Sequence, residues 1–151
     1  MRIVVQKVKE ASVTVDKKVI SAIQKGLLIL VGIENEDTEE DIEYLVRKIV
    51  QLRVFNDENG VMNLSVQDVE GEVIVVSQFT LHASTKKGNR PSYIRAARPE
   101  FSIPMYEKFV LAMEKALGRK VGTGEFGAMM DVALINDGPV TIIIDSKQKD
   151  F

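Results

Sequence analysis

Ser77-Gln78-Phe79-Thr80 stands where an apolar run, Val73-Ile74-Val75-Val76, gives way to a long polar stretch. At the end of a buried strand, backbone N–H groups leave the ladder and can bond a substrate instead. A Ser or Thr hydroxyl is a poor nucleophile until a neighbouring base takes its proton. The sole histidine, His82, follows Thr80 by two residues. On a strand that continued through them, the two side chains would share a face and could form a Thr–His pair. The same residues fit a plainer role, with hydroxyls satisfying a strand terminus and a solvated histidine beside them.

Three further groupings carry chemical meaning. Gly122-Thr123-Gly124-Glu125-Phe126-Gly127 has the spelling of a dinucleotide fingerprint, which needs a strand before it and a helix after it. Here the order is reversed, so the glycines read as a turn in which backbone passes close to another group. Gly138-Pro139 falls between two apolar segments and by spacing reads as a hairpin turn, at the one bond type that readily becomes cis. Lys86, Lys87, Arg90, Arg95 and Arg98 form a basic block with no acid between Lys86 and Arg98. It is either a solvated loop or a set of phosphate contacts. With no Cys and one His, a thiolate zinc site, a Cys nucleophile and any multi-imidazole centre are excluded, and neither a metal nor a cofactor is expected.

The elements that must hold these residues follow from periodicity. Arg2–Val8, Ser12–Asp16, Val19–Gln24 and Gly26–Ile33 read as four strands rich in Val and Ile. The acidic block from Glu34 to Glu43 reads as a helix N-terminus, with Asp37 and Thr38 as caps. Ile42, Leu45, Val46, Ile49 and Leu52 predict a helix over about 38–52. Asn56–Gly60 is a turn cluster, Glu72–Phe79 a strand, and Ala83–Glu100 an ordered loop. Ser102 can cap a second helix that carries Pro104 in its first turn, shows Tyr106, Phe109, Val110, Met113 and Leu117 on one face, and stops at Gly118. Met129–Ile135 and Val140–Asp145 complete the strands.

That order lacks the alternation of a doubly wound fold and predicts an α+β domain over residues 1–151: mostly antiparallel strands in a curved, barrel-like sheet with two main helices packed against it. A chain of 151 residues buries roughly 70% of its unfolded surface. The net charge of −2 argues against a general nucleic-acid coat. The longest apolar run, Gly26–Ile33, falls well short of the ~20 residues of a membrane span, and residues 1–15 show no signal-peptide core. A soluble cytoplasmic protein without a membrane partner is expected.

Taken together, Ala11-Ser12-Val13-Thr14-Val15, Lys25-Gly26-Leu27-Leu28, Val75-Val76-Ser77-Gln78-Phe79-Thr80-Leu81 and Asn136-Asp137-Gly138-Pro139-Val140-Thr141 resemble the D-aminoacyl-tRNA deacylases. Arg53-Val54-Phe55, Met62-Asn63-Leu64-Ser65, Arg90-Pro91-Ser92 and Thr123-Gly124 with Phe126-Gly127 fit the same pattern. The resemblance implies a metal-free, homodimeric esterase that frees a D-amino acid, with glycine as a second substrate, from the terminal adenosine of tRNA. It implies that Ser77, Gln78, Phe79 and Thr80 form the reaction pocket, with backbone N–H groups near Phe79 and Thr80 binding the oxyanion. It also implies that Gly138, Pro139, Val140 and Thr141 act across the dimer, where a cis Gly-Pro would select the D-enantiomer. Phe126 and Met130 would line the adenosine side, and Lys86, Lys87 and Arg90 would touch the tRNA backbone. Under the resemblance, Thr80 is either the nucleophile or an accessory to the ribose 2′-hydroxyl, and the absence of a dependable base favours the second. His82, Ser84 and Lys7 depart from residues common in such proteins. A non-catalytic tRNA- or RNA-binding module on the same scaffold is the alternative; a general small-ester hydrolase lacks a triad.

Overall fold

A computed structural model describes residues 1–151. Its spine is β1 (Arg2–Val15), one strand of 14 residues where the sequence reads as two. Its first half pairs antiparallel with β3 (Gly26–Gly32) and its second half with β2 (Lys18–Ile23). The polar Lys9-Glu10 pair that suggests a break lies at this handover, exposed, where the register against the opposite neighbour also shifts. The strand bends there without ending. Asp16 and Lys17, at φ +49° and +66°, make the tight turn into β2, matching the right-handed twist of the two strands.

Helix α1 (Glu39–Gln51) begins as the acidic block predicts, with the Asp41 carboxylate accepting from the Thr38 backbone N–H at 2.8 Å. The chain then makes a small hairpin, β4 (Phe55–Asn56) and β5 (Met62–Leu64), around the expected turn. It re-enters the main sheet as β6 (Glu72–Ser77), parallel to β3. Helix α2 (Pro99–Leu117) starts three residues before the predicted cap. Pro99, with its φ pre-set for a helix, opens the first turn, and Ser102 sits inside, donating its hydroxyl to the Arg98 carbonyl at 3.0 Å. Pro104 consequently falls in the second turn. Gly118 ends the helix at φ +79°.

Two short residues of β7 (Gly122–Thr123) run parallel to β6. The last strand, β8 (Asp131–Asp145), lies antiparallel along the free edge of β1 for almost its whole length. Both of the segments read as separate strands belong to it. Since both run in one direction along β1, Asn136–Pro139 is a bulge and the hairpin reading is corrected. The main sheet therefore mixes antiparallel pairs around β1 with the parallel set β3-β6-β7.

β3 and β6 are buried on both faces, which explains their unbroken apolar runs. Leu27, Ile29, Val31, Val73 and Val75 face the two helices, meeting Leu45, Ile49, Phe109 and Met113. Leu28, Ile74 and Val76 face inward with Val8, Val13 and Ile23 and pack against Met130, Val132 and Leu134 of the β8 side. At roughly 1.5–3 kcal/mol per fully buried large side chain, these two layers hold the end of β6 fixed from both sides. No helix is long and apolar enough to cross a membrane.

Candidate active site

The ladder between β3 and β6 ends when the Gln78 N–H bonds the Val31 carbonyl at 2.7 Å. The chain then winds into one 3₁₀ turn, Phe79–His82, closed by the Leu81 N–H on the Gln78 carbonyl at 3.2 Å. Phe79 and Thr80 head the turn, so their N–H groups have no partner within it, as at any helical N-terminus. Gly32 makes the geometry feasible: a Cβ there would lie 3.0 Å from the Gln78 carbonyl oxygen, from Leu81 Cβ and from His82 Cδ2. Arg2 pins the turn from β1, donating to the Leu81 carbonyl at 3.0 Å and to Asp145 Oδ2 at 2.9 Å.

The change from strand to 3₁₀ turn separates Thr80 from His82. Residues two apart share a strand face but lie about 240° apart on a turn of three residues. Thr80 is half-buried at the surface, its hydroxyl accepting from the Gln78 side-chain amide. His82 is fully buried on the other side, with neither ring nitrogen hydrogen-bonded and Nδ1 3.6 Å from Glu34 Oε1. Burial pushes its pKa below the ordinary value, with the Glu34 carboxylate opposing. The Thr–His pair and the solvated histidine are both corrected: His82 packs beneath the turn.

Ser77, Gln78 and Phe79 line a cavity of about 360 Å³ together with Phe126 and Met130. Thr80 lies outside this lining. The glycine-rich segment supplies the opposite wall by close approach, as expected of it: a Cβ on Gly124 would collide with Met130 Sδ. Phe126 is held edge-on to Tyr106, with centroids 6.0 Å apart. Tyr106 donates its hydroxyl to the Val75 carbonyl at 2.6 Å, and burial pushes its pKa up to about 12. That phenol supports the wall and stays protonated. Nowhere do three or more His, Asp or Glu side chains converge as a metal site would require.

Gly138-Pro139 is a cis peptide, exposed on the β8 bulge, with Gly138 at φ +137°. Asn136 frames it, accepting from the Val140 N–H at 2.8 Å and donating to Thr141 Oγ1 at 2.9 Å. No residue from Asn136 to Thr141 lines the cavity of the same chain. The fold thus unites Ser77, Gln78, Phe79, Phe126 and Met130 and leaves Gly138, Pro139, Val140 and Thr141 elsewhere.

Lys86, Lys87 and Arg90 are exposed and form no ion pair, whereas Arg95 is fixed by Glu34 Oε1 at 2.8 Å. Reciprocal backbone bonds between Ser84 and Ser92, at 2.8 and 2.9 Å, close their loop. Arg2 and Glu34 were not singled out as individual site residues by sequence reasoning; the first is one cation in an apolar strand, the second one acid in an acidic block. Neither position carries a local signal.

The fold is thus a long strand pair, β1 and β8, closing a mixed sheet over two helices, with a cavity at one strand end walled by that strand end and by apolar side chains. A solved structure described as a probable eukaryotic D-amino acid tRNA deacylase shares it, with a TM-score of 0.82 over 95% of this chain and 97% of that one at 15% identity. The family model described as D-Tyr-tRNA(Tyr) deacylase matches residues 4–145, and the chain belongs to that family. Relatives named D-aminoacyl-tRNA deacylase from Flavobacterium johnsoniae and Bacteroides fragilis are each 64% identical over 150 residues, covering 99% of this chain and 100% of theirs. A solved structure described as c-Myc DNA Unwinding Element Binding Protein is 44% identical, with a TM-score of 0.92 over 96% of this chain and 98% of that one.

Proposed function

We propose that this protein is a D-aminoacyl-tRNA deacylase, a hydrolase that cleaves the ester between a D-amino acid and the 3′-terminal adenosine of tRNA. The observation that carries this reading is the cavity joining the Ser77–Phe79 strand end to Phe126 and Met130. Its Ser77–Phe79 wall is the strand end that leads into the turn headed by the Phe79 and Thr80 N–H groups, and its Phe126–Met130 wall offers apolar contacts for a nucleoside. Water attacks the ester carbonyl, whose oxygen becomes an oxyanion held by the Phe79 and Thr80 N–H groups. Donors of that kind are worth roughly 3–4 kcal/mol each. Collapse breaks the bond to the ribose 3′-oxygen and releases the D-amino acid and tRNA. With no base beside Thr80, the neighbouring 2′-hydroxyl of the substrate serves the proton transfers.

Gly138 and Pro139 do not line the cavity of their own chain, and the β8 strand that carries them presents Ile135 and Ile143 to solvent, 49% and 42% exposed. Both features support a homodimer in which this bulge enters the partner's pocket. There its carbonyls would hold the substrate amino group and exclude an L side chain. Glycine, with no side chain, would pass. Lys86, Lys87 and Arg90 would hold the tRNA backbone, consistent with action in the cytoplasm.

The test is deacylation of D-tyrosyl-tRNA and L-tyrosyl-tRNA side by side with EDTA present, after light scattering has given the oligomeric state. Release from the D-ester alone is expected. Intact esters with tRNA still bound would favour a nucleic-acid-binding module.

A further inference from the structure

At the cavity mouth Phe79, with Tyr93 packed on it, lies open beside a cationic loop, and Ile94 follows Tyr93 in the chain at the edge of a neighbouring cleft lined by Glu34, Glu36, Arg95 and Lys147. Phe79 is 53% exposed, Tyr93 41% and Ile94 86%. Phe79 and Tyr93 are packed edge to face, with centroids 5.0 Å apart and planes at 75°. Such a pair occupies only one ring face and leaves another for a flat partner. From Val73 through Pro99 the chain has no Asp or Glu. Lys86, Lys87, Arg90 and Arg98 of that stretch form no ion pair. The platform is also rigid. Ser84 and Ser92 cross-bond, the Ala97 N–H bonds the Ile33 carbonyl at 2.9 Å, and Arg95 is tied to Glu34.

Exposed aromatics among unpaired cations on a fixed loop are the makings of a single-stranded nucleic-acid site, in which bases stack and cations follow the phosphates. The rings adjoin the cavity through Phe79, which lines it. Resting on the deacylase reading above, we propose that Tyr93, with Phe79 and Ile94, stacks the unpaired nucleotide immediately 5′ of the terminal adenosine. The enzyme would then recognise its substrate as a single-stranded RNA end. Tyr93 is a positioning residue here, since it acts on the nucleotide next to the reacting one.

The experiment compares three D-tyrosyl esters: of adenosine, of the dinucleotide cytidylyl-adenosine, and of tRNA. Wild type, Tyr93→Ala, Tyr93→Phe and Ile94→Ser are assayed on each. Loss of one base–aromatic stack corresponds to roughly a 5- to 150-fold change. Tyr93→Ala should therefore raise KM for the dinucleotide and tRNA esters by about that factor, hold kcat, and leave the adenosine ester unchanged. Tyr93→Phe should restore wild-type KM, and Ile94→Ser, at a side chain open to solvent, should move KM in the same direction by less. An equal change on all three esters would overturn the proposal and make Tyr93 a prop for the Phe79 turn. No change on any would also overturn it, as would altered preference among D-amino acids on the adenosine ester, which would assign the ring to the amino-acid side chain. If wild type cleaves none of the esters, the deacylase reading itself fails.

Discussion

Thr80→Ala removes a hydroxyl whose only hydrogen-bond partner is the Gln78 side chain. If that hydroxyl were an activated nucleophile, its loss would cost on the order of 10⁶-fold in kcat, as with a serine hydrolase. The structure supplies no activating base: His82 is buried behind the turn and faces Glu34. What the substitution removes is one hydrogen bond that orders the turn, worth about 0.5–1.5 kcal/mol. That converts to roughly a 2- to 12-fold loss of rate. Single-turnover deacylation of D-tyrosyl-tRNA by wild type, Thr80→Ala and Thr80→Val reads it directly, since the chemical step is then isolated from product release. A parallel substrate ending in 2′-deoxyadenosine should lose about 10²- to 10⁴-fold, the span of general acid–base assistance. A fall beyond about 10⁴-fold in Thr80→Ala, with the deoxy substrate cleaved at the normal rate, would refute the reasoning and make Thr80 the nucleophile.

The remaining expectations concern the bulge, the basic loop and acid stability. Gly138→Ala places a methyl 2.8 Å from Val140 Cγ2 and 3.1 Å from the Val140 nitrogen at φ +137°; it should displace the bulge and lower the D-over-L ratio by on the order of 10²-fold with the melting curve still cooperative. Unchanged selectivity would remove the bulge from chiral recognition. Reversing Lys86, Lys87 and Arg90 to Glu should raise KM for tRNA and flatten its log–log salt dependence by roughly 2–3; an unaltered slope would return these residues to a solvated loop. Burial alone would raise the pKa of Asp41, but favourable polar contacts, among them the hydrogen bonds it accepts from the Thr38 N–H and the Lys147 ammonium, outweigh it and hold the carboxyl at about 2, below its ordinary 3.8. The stability this contributes is therefore present above about pH 4 and lost as pH falls toward 2, and with solvent screening amounts to about 1–2 kcal/mol. Thermal melts of Asp41→Asn should fall less steeply over that window than wild type; parallel curves would contradict the assignment.

Much of the architecture was legible because periodicity is a local signal. The α1 start, the Gly118 stop, the apolar β3 and β6 runs and the α+β order all follow from residues near one another. The misses share a cause. Lys9-Glu10 and Gly138-Pro139 interrupt an apolar pattern, and only pairing with a distant strand tells a bulge from a break. At the site, the motif pointed to Ser77–Thr80; the fold joins Ser77, Gln78 and Phe79 to Phe126 and Met130 and leaves Thr80 outside the cavity lining. The Thr80–His82 relation was misread because it depends on Gly32, some fifty residues earlier, which lets the chain leave the strand as a tight turn. The roles of Arg2 and Glu34 as anchors are invisible without the fold, since each works through partners distant along the chain.

Gly32 also bears on how this protein would fail under random change. The donors proposed for the oxyanion belong to the peptide backbone, so no codon at Phe79 or Thr80, short of proline, would delete them. A mutational screen for inactive alleles would pass over much of the cavity lining and gather hits at Gly32 and at the anchors Arg2 and Glu34. By inspection such alleles would look like damage to folding.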